Sequence, residues 1–561
     1  MKPFSQFVGI IFLALPTLGS SQSQCFKEFL DLGVQAYNRE DFQGAFANFR
    51  AISGCDQLTT NQVRQMNEWI DKANKGYADF MTKARKDAED ARDRALNALD
   101  EAQQARDEAQ LQASISEANR LAFIASQEVE KGNGNDALVL AYRAMDLTRK
   151  HPTPSILLSF GNAIDASYGT TLAGHDQDVL SMNITPDHQA IITSSADGTV
   201  KIWNPEGALQ HTLSGISSYC SKVILAPSND RFLAVNADRK VSVYSLDGKI
   251  LASTPTQNEE IAALAISHDG STFATGGRDG QASLFDWQGN LIASLNGHQA
   301  PVNAVQFSPD DSKILTVSTD KTARMWRRSD GTFISTLQDP AGFIYQAAFS
   351  PDGNRILLAS SDHFAYLYDG NGQLIQKLAG HDAPVVCAAL SINHVLLTAS
   401  LDGKVMLWDQ DGNHKVTKSA HEQAITLAGF SPDGNYWFTG SRDHTVKIWT
   451  VEGTLKAILN QHLGAINDIV FSPDSQLILT ASADHTAKLW DLAGNLRMNQ
   501  DAFQGEVLAA GFTSDGNLLW SCSSDGGAHV VDNPEVLFAK LTEHPVLPDE
   551  RQIELYHLNG Q

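Results

Sequence analysis

Short apolar runs alternate with polar turns over most of the chain, from about residue 167 to residue 541. Runs such as "VNAVQF" and "KILTVS" hold six residues, and a third kind, such as "TVKIW", alternates apolar and polar positions. The turns between them are rich in Pro, Asp and Gly. Runs of this length, bounded by such turns, predict short antiparallel strands, four to a unit.

The unit recurs at a nearly constant interval. Each contains an Asp in its second turn, and successive turn Asp residues stand 41 residues apart, apart from one step of 42 and one of 40. A four-stranded unit exposes two apolar faces, so units must stack, and closing the stack into a ring removes its open ends. The nine turn residues are Asp197, Asp238, Asp279, Asp320, Asp362, Asp402, Asp443, Asp484 and Asp525.

Further residues recur within the unit. A His often opens it, Ser-Pro-Asp follows the first run, and an aromatic residue ends the third. This pattern resembles the WD40 repeat of β-propeller proteins, in which "GH" precedes the first strand and "WD" follows the third. The resemblance covers 167–541 and implies a mostly β fold, a single ring of eight or nine blades built from nine repeats. The literal pairs are Gly174-His175, Gly297-His298, Gly380-His381, Trp408-Asp409 and Trp490-Asp491.

In WD40 proteins the His, a Ser/Thr of the second strand, the turn Asp and the Trp form one hydrogen-bonded chain. A His-Thr-Asp set is also the pattern of a catalytic triad, but a triad occurs once per active site, whereas this set occurs five times. We therefore interpret it as structural. The five sets are His175, Thr193, Asp197, Trp203; His298, Thr316, Asp320, Trp326; His381, Thr398, Asp402, Trp408; His421, Thr439, Asp443, Trp449; and His462, Thr480, Asp484, Trp490.

Some units depart from this pattern. Units two, three, five and nine lack the full set, and we expect their blades to be looser. A segment like a fourth strand stands at each end of the repeats, "SYGTTL" before His175 and "VLFAKL" before His544. Only one of the two is needed to complete the ring, and the other would cover an edge.

The N-terminal third has helical periodicity instead. Residues 26–55 resemble a tetratricopeptide unit through Phe29, Leu32, Gly33, Ala45 and Phe49. We divide this third into a helical hairpin at 25–75, a long helix at 76–131, and a helical connector at 132–166. The connector resembles the segment that precedes propellers in bacterial multidomain signalling proteins. A tail, 542–561, follows the propeller.

Alanine recurs along the predicted long helix at 84, 88, 91, 95, 98, 102, 105 and 109, in alternating steps of four and three. This spacing is a heptad seam made of alanine, with charged residues on the other faces. Two interpretations stay open: a solvated helical spacer, or a coiled coil that gives a weak homo-oligomer through residues 84–109.

The first 24 residues have the features of a signal peptide: Lys2, an apolar stretch over 7–15, and small residues at 19–21. We therefore expect an exported protein, periplasmic or extracellular, in which disulfides are permissible. Cys25 and Cys55 flank the predicted hairpin, so we predict a disulfide between them; the alternative is two separate thiols. Cys220, Cys387 and Cys522 lie in apolar runs and are expected to be buried.

Composition and sequence motifs limit the classes of function that the chain could have. The chain holds 42 Lys and Arg against 65 Asp and Glu, a net charge of −23, which argues against binding to nucleic acid or to anionic lipid. It contains no HExxH, GxSxG, paired CxxC or phosphate-binding glycine motif, so we predict no enzyme activity, no cofactor and no metal.

These observations favour a scaffold that binds a protein or peptide, with no membrane span. The loops that carry the His and the turn Asp share one face of a propeller, and Arg278 and Arg442, just before two turn Asp residues, are candidate contacts there. The helical arm would space or oligomerise the scaffold. The alternative is an enzyme or small-ligand sensor with its site in the central channel.

Overall fold

The computed structural model describes residues 22–55, 58–149, 151–216 and 223–558. The chain divides into two compact units, residues 1–112 and residues 113–561. Residues 1–21 of the predicted signal peptide lie outside the described residues, and so does Cys220. None of the described helices is long and apolar enough to cross a membrane.

In the described residues, helices lie before and after the strands, and a 3₁₀ turn, Ile52–Gly54, follows the second helix. One helix, Thr60–Glu130, contributes residues to both units. The helices are α1 Gln22–Asn38, α2 Phe42–Ala51, α3 Thr60–Glu130, α4 Gly134–Leu147, α5 Pro154–Tyr168, α6 Pro534–Glu543 and α7 Glu550–Leu555.

Helix α3 runs through the boundary that the sequence predicts at 75–76. It starts at a capping box, in which the Thr59 N–H donates to Gln62 Oε1 at 3.0 Å and the Gln62 N–H donates to Thr59 Oγ1 at 3.3 Å. Gly76 does not break the helix. A Cβ at this position would collide with the rings of Phe42 and Tyr37, so the glycine lets α3 approach these two rings.

The first unit has its own small core. Phe26, Leu30 and Ile52 are buried in it, and the ring of Phe49 stacks on Trp69 of α3 with 6.1 Å between centroids. Cys25 and Cys55 are joined by a disulfide across this core, with Cα atoms 6.3 Å apart. The disulfide ties the start of α1 to the residue after the 3₁₀ turn, which closes the helical hairpin.

Strands make up most of the second unit. Those that come first in each sheet are β2 Val179–Ile184, β6 Ile224–Leu225, β10 Ile261–Ile266, β14 Val302–Phe307, β18 Ile344–Phe349, β22 Val385–Leu390, β26 Ile425–Phe430, β30 Ile466–Phe471 and β34 Val507–Phe512. Those that come second are β3 Ile191–Ser195, β7 Arg231–Val235, β11 Thr272–Gly277, β15 Lys313–Ser318, β19 Arg355–Ser360, β23 Leu396–Ser400, β27 Tyr436–Ser441, β31 Leu477–Ser482 and β35 Leu518–Ser523.

The third and fourth strands follow in the same order. The third strands are β4 Thr199–Trp203, β8 Val241–Ser245, β12 Ala282–Asp286, β16 Ala323–Arg327, β20 Ala365–Asp369, β24 Lys404–Trp408, β28 Val446–Thr450, β32 Ala487–Asp491 and β36 Gly527–Asp532. The fourth strands are β5 Leu209–Ser214, β9 Ile250–Ser253, β13 Leu291–Leu295, β17 Phe333–Leu337, β21 Leu374–Leu378, β25 His414–Ser419, β29 Leu455–Leu459, β33 Leu496–Gln500 and, for the last sheet, β1 Thr170–Ala173.

In the described residues these strands form nine antiparallel four-stranded sheets, here called blades 1 to 9 in chain order. Blades 1 to 8 are each made of four consecutive strands, whereas blade 9 has the order β1-β36-β35-β34. Thr170 of β1 pairs with Val530 of β36. Strand β2 of blade 1 contacts β34 and β35 of blade 9, so the ring closes. The predicted single-ring propeller is confirmed, with the N-terminal segment as the closing strand.

The second strand-like segment, "VLFAKL", is helical and not a strand. Asn533 caps α6 by accepting a hydrogen bond from the Glu535 N–H at 3.1 Å, and Pro534 is the first helical residue. The side chains of Leu537 and Leu541 are buried. They lie in a core that also contains residues of α4, α5 and blades 8 and 9, so α6 covers these blades as a helix.

Polar side chains of the first strands link neighbouring blades. The side-chain amide of Asn183 in blade 1 donates to the Val223 carbonyl at 2.9 Å, and that of Asn467 in blade 8 donates to the Val507 carbonyl at 2.9 Å. Gln306 of blade 4 donates in the same way to the Ala347 carbonyl at 2.9 Å. Apolar side chains fill the space between the sheets, so each blade buries its two faces against its neighbours.

Candidate functional site

The five predicted His-Asp pairs are all in contact. In each, Nδ1 of a His at the start of the unit faces a carboxylate oxygen of the turn Asp. Since an ionised carboxylate can only accept, Nδ1–H is the donor. The distances are 2.9 Å for His175–Asp197, 2.8 Å for His298–Asp320, 3.2 Å for His381–Asp402, 2.8 Å for His421–Asp443 and 2.8 Å for His462–Asp484.

The other ring nitrogen of each His continues the chain inward. It accepts from a Thr hydroxyl, and the same hydroxyl oxygen accepts from a Trp indole N–H. The structure therefore brings all four residues of every predicted set together. The His–Thr and Trp–Thr distances are 2.9 and 2.8 Å at Thr193, 2.9 and 2.9 Å at Thr316, 3.0 and 3.0 Å at Thr398, 2.8 and 3.4 Å at Thr439, and 2.7 and 2.9 Å at Thr480.

Burial sets the charge states of these groups. It lowers the pKa of all five His residues, because a buried site disfavours the imidazolium ion. Burial acts in the opposite direction on Asp197, but hydrogen bonds from Thr199, from the Asp176 N–H and from His175 outweigh it and lower the pKa of Asp197 to about 2. The first set therefore combines a neutral His175 with an ionised Asp197 at neutral pH.

A nucleophile must reach its substrate, and the Thr hydroxyls of these sets do not reach the surface. The exposed fraction of Thr193, Thr316, Thr398, Thr439 and Thr480 is 0%. Each hydroxyl is enclosed between an imidazole and an indole. The arrangement joins the loop that carries the His to the turn that carries the Asp, and the second strand to the third.

This linkage defines one face of the ring, which we call the Asp-turn face: the loops that carry the opening His and the turns that carry the Asp. The side chains of Arg278 in blade 3 and Arg442 in blade 7 are exposed on it. Arg278 Nε lies 3.6 Å from Glu260 Oε2. The backbone N–H of Arg442 donates to the Ala424 carbonyl at 3.0 Å, which fixes the residue next to its turn.

Three large apolar side chains on the same face were not singled out by the sequence. Phe343 and Tyr345 of blade 5 are 54% and 55% exposed, and Leu463 of blade 8 is 84% exposed. The Phe343 N–H donates to Ser361, the neighbour of a turn Asp, at 2.8 Å, and the Leu463 N–H donates to Asp484 at 2.9 Å. The sequence feature that could have identified these residues is an apolar residue in or beside a loop that is otherwise polar.

The four units without a full set are joined by other bonds. In blade 3 Gln257 stands where the His would be, and its side-chain amide donates to Thr275 at 3.0 Å. In blade 2 the Tyr244 hydroxyl donates to Asn236 at 3.1 Å. In blade 9 Ser521 donates to Gln500 at 2.9 Å. Blades 2 and 3 thus keep a polar link at the Asp-turn end without the imidazole, whereas the bond from Ser521 on β35 to Gln500 on β33 joins blade 9 to blade 8.

Blade 9 also has a His-Asp contact that the sequence did not indicate. Nε2 of His529 on β36 lies 2.8 Å from Asp165 Oδ1 of α5, and its Nδ1 lies 3.2 Å from the Thr171 hydroxyl of the closing strand. The three residues come from three elements, α5, β1 and β36. The contact fastens the closing strand to both of its neighbours.

The C-terminal tail is held in the same helical layer. The buried carboxylate of Asp136 on α4 accepts from Arg551 at 2.6 and 2.7 Å, from Gln552 at 2.7 Å and from the Tyr556 hydroxyl at 3.0 Å. The Tyr142 hydroxyl donates to the Leu541 carbonyl at 3.0 Å. Residues before the propeller therefore hold residues after it, beside the point of ring closure.

The opposite face carries the Ser-Pro-Asp turns and two sizeable cavities. One of about 730 Å³ is lined by Asp311, Lys313 and Arg328, and one of about 780 Å³ by Lys456, Asp491 and other residues. The Arg328 guanidinium is already bonded to Asp269, at 2.9 Å, and to Thr272, at 3.0 Å. Among the residues described, no group of three or more His, Cys, Asp or Glu could hold a metal ion.

The two thiols that the structure describes outside the disulfide, Cys387 and Cys522, are buried in blades 6 and 9. Burial raises the pKa of Cys387 to about 11 and raises that of Cys522 as well. Both are therefore protonated, and shielded from solvent, at neutral pH. They fill space in the cores of their blades.

Comparisons with known proteins address the repeats. The family model described as the IFT122 first beta-propeller matches residues 159–389, and the WD domain, G-beta repeat, matches 372–409, 412–450 and 453–491. No curated protein sequence is significantly similar to the chain. Among solved structures, the crystal structure of the computationally designed Ika8 protein is 24% identical, with a TM-score of 0.47; the match covers 65% of this chain and 99% of that one.

Proposed function

We propose that this chain, whose propeller is built of WD40 repeats, is a non-catalytic scaffold that binds a protein or peptide partner through the Asp-turn face. The observation that carries the proposal is the combination, on one face, of loops fixed by buried hydrogen bonds and of exposed aromatic, apolar and Arg side chains. Tyr and Arg are among the side chains that supply most of the binding energy in protein interfaces.

Fixed loops favour binding for an entropic reason. A loop that is ordered only in the complex loses conformational freedom on binding, and that loss reduces affinity. Here the opening loop and the Asp turn of five blades are already joined, for example through His462 and Asp484 at 2.8 Å. In blade 5, which lacks the His, the Ala341 N–H donates to Asp362 and the Phe343 N–H to Ser361, both at 2.8 Å. The exposed side chains of Phe343 and Leu463 are thus presented on a backbone that has little freedom left to lose.

The helical arm supports the scaffold. We propose that α3 spaces or oligomerises it, and that the tetratricopeptide-like hairpin of α1 and α2 serves mainly to anchor the start of α3. The disulfide between Cys25 and Cys55 fits an exported protein, periplasmic or extracellular, since disulfides persist in oxidising compartments.

The test is capture of partners by the tagged full chain from periplasm and from culture medium, followed by titration of the captured partner. Arg278→Glu with Arg442→Glu should weaken binding at least about tenfold, because a reversed charge replaces attraction with repulsion at the interface. Arg327→Glu is the matched control, since Arg327 is exposed at the end of β16 next to the opposite face. Equal affinity of the double variant and the control would refute this choice of face.

A further inference from the structure

Helix α3 has a long exposed stretch, whose N-terminal end contacts α2: the ring of Phe42 lies 6.0 Å from that of Tyr77 and 5.7 Å from that of Phe80, between centroids. Every residue from 77 to 113 is exposed. The alanine seam lies in this stretch, and Tyr77 and Met81 extend it toward the N-terminus at the same spacing, with exposed fractions of 39% and 49%. A helix with one apolar seam and charges elsewhere is the usual component of a coiled coil.

The residues that flank the seam carry charges in a definite order. On one flank, immediately after every second seam residue, stand Arg85, Arg92, Leu99 and Arg106. On the other flank, immediately before the remaining seam residues, stand Asp87, Arg94, Glu101 and Glu108. These are the two positions of a heptad whose charges set the partner and the orientation of a coiled coil.

Three of these charges have no opposite charge to meet on their own helix. Intrahelical ion pairs form between residues three or four apart, as Arg85 and Glu89 do at 2.9 Å. Glu101 and Glu108 have no basic residue at these spacings, and Arg106 has no acidic one. None of the three takes part in a salt bridge among the described residues. Glu101 and Arg106 stand five residues apart, which is the spacing that meets across a parallel pair of helices.

We infer that the partner of this face is a second copy of the chain, aligned parallel and in register along residues 81–109. In that alignment Glu101 faces Arg106 of the second copy, and Asp87 faces Arg92 of the second copy, and each contact occurs twice by symmetry. An antiparallel alignment would instead set the flank of Arg85, Arg92 and Arg106 against itself. The charge pattern therefore selects the parallel arrangement.

The seam also limits the strength of the pair. An alanine buries little apolar surface, so the hydrophobic contribution per layer is small and the flanking ion pairs decide whether the copies associate. A parallel pair brings together the two C-terminal ends of α3. Two partner-binding faces in one assembly raise the apparent affinity for a multivalent partner. The inference deepens the role proposed for the arm, and rests on it.

The association test uses the purified, processed full chain in sedimentation equilibrium. Glu101→Lys should weaken self-association about tenfold, because it replaces two attractive contacts with two repulsive ones. Asp100→Lys makes the same charge change on the face of α3 away from the seam and should leave association unchanged. The double variant Glu101→Lys with Arg106→Glu restores opposite charges and should recover wild-type association. A chain that stays monomeric, or equal weakening by the two single variants, overturns the inference.

The orientation test uses a cysteine at one end of the seam. Ala84→Cys should form an intermolecular disulfide with itself on mild oxidation, because residue 84 faces residue 84 only in a parallel, in-register pair. If the variant cross-links only when mixed with Ala109→Cys, the copies are antiparallel and the inference is wrong. These measurements involve no partner, so their failure leaves the proposed binding face untouched. Conversely, a failed charge reversal at Arg278 and Arg442 leaves the self-association result intact.

Discussion

Blades 8 and 5 link the opening loop to the third strand with different chemistry. Blade 8 has the full set, with His462 bonded to Asp484 at 2.8 Å. In blade 5 Pro340 stands in the place of the His and Tyr368 in the place of the Trp; the Tyr368 hydroxyl donates to the carboxylate of Asp339, the residue before Pro340, at 3.0 Å. The comparison shows that the repeat preserves a polar link at this point of the blade, and that the groups which form it are interchangeable.

The two links respond differently to a change in pH. Burial lowers the pKa of His462, so the blade 8 link contains a group that protonates near neutral pH once it is released. Burial and the neighbouring Asp339 raise the pKa of Tyr368, so the blade 5 link stays protonated throughout the physiological range. Blade 8 should therefore be sensitive to acidification in a way that blade 5 is not.

The largest effect is expected from removal of the Asp that unites a full set. Asp484→Ala should lower the free energy of unfolding by about 3 kcal/mol, because the carboxylate accepts hydrogen bonds from His462, Thr486 and Leu463, and the buried imidazole of His462 loses its partner. Equilibrium unfolding in urea, followed by tryptophan fluorescence, measures the change.

The matched control is the turn Asp of a blade that lacks the set. Asp279 of blade 3 accepts from the Gln281 N–H at 2.9 Å, and no His faces it. Asp279→Ala should cost about 1 kcal/mol or less, the usual contribution of a single turn hydrogen bond. If both variants lose the same stability, the four-residue set adds nothing to the turn itself, and the distinction between the two kinds of blade disappears.

The contacts of the full sets could be predicted from the sequence, because the period of the repeat fixes which residues meet. His462 and Asp484 occupy fixed places in a unit, so their contact follows from the pattern of the unit. The contact of Asp165 with His529 could not be predicted, because the two residues are 364 positions apart and belong to no common unit. The start of α6 could have been predicted from Asn533-Pro534, because Asn is a favoured N-cap and Pro is favoured in the first turn of a helix. These two residues are stronger evidence for a helix than the apolar residues of "VLFAKL" are for a strand.

The helical arm and the propeller both contain features that the repeat patterns in the sequence do not predict. The alanine spacing predicted a long helix, but not that it begins at Thr60, since the capping box of Thr59 and Gln62 lies within the segment assigned to a separate hairpin. On the Asp-turn face the sequence indicated Arg278 and Arg442, but not the exposed side chains of Phe343, Tyr345 and Leu463. Exposure of Phe343 depends on the path of its loop, which the repeat pattern does not specify because unit five departs from it.

The next effect concerns pH. An unfolded His protonates near pH 6.5, whereas the buried His462 has a lowered pKa and stays neutral below that value. The unfolded state thus binds more protons, and stability must fall as the pH drops below 6.5. His462→Gln copies the Gln257–Thr275 link of blade 3 and should reduce this slope by up to about 1.4 kcal/mol per pH unit. Urea unfolding at several values between pH 7 and 5 provides the slopes.

The matched variant for this measurement is His394→Gln, at a turn His that contacts no Asp through its ring among the bonds described. It replaces a His by Gln without touching a set, so it measures the effect of the replacement itself on the slope. A His462→Gln slope identical to that of His394→Gln would mean that His462 titrates in the folded blade as it does in the unfolded chain.

The smallest effect tests the blade 5 link. Tyr368→Phe removes the hydroxyl that donates to Asp339 at 3.0 Å and leaves the ring, which is 1% exposed, in place. The side chain of Asp339 is exposed, so water can replace the lost donor and the cost should be about 1 kcal/mol, independent of pH between 5 and 8. Blade 3 already has Phe285 at this position, so the variant reproduces an arrangement that the ring accepts. A loss of 3 kcal/mol or more would place the Tyr–Asp link on a level with the full set of blade 8, and would mean that blades without the imidazole are not the looser part of the ring.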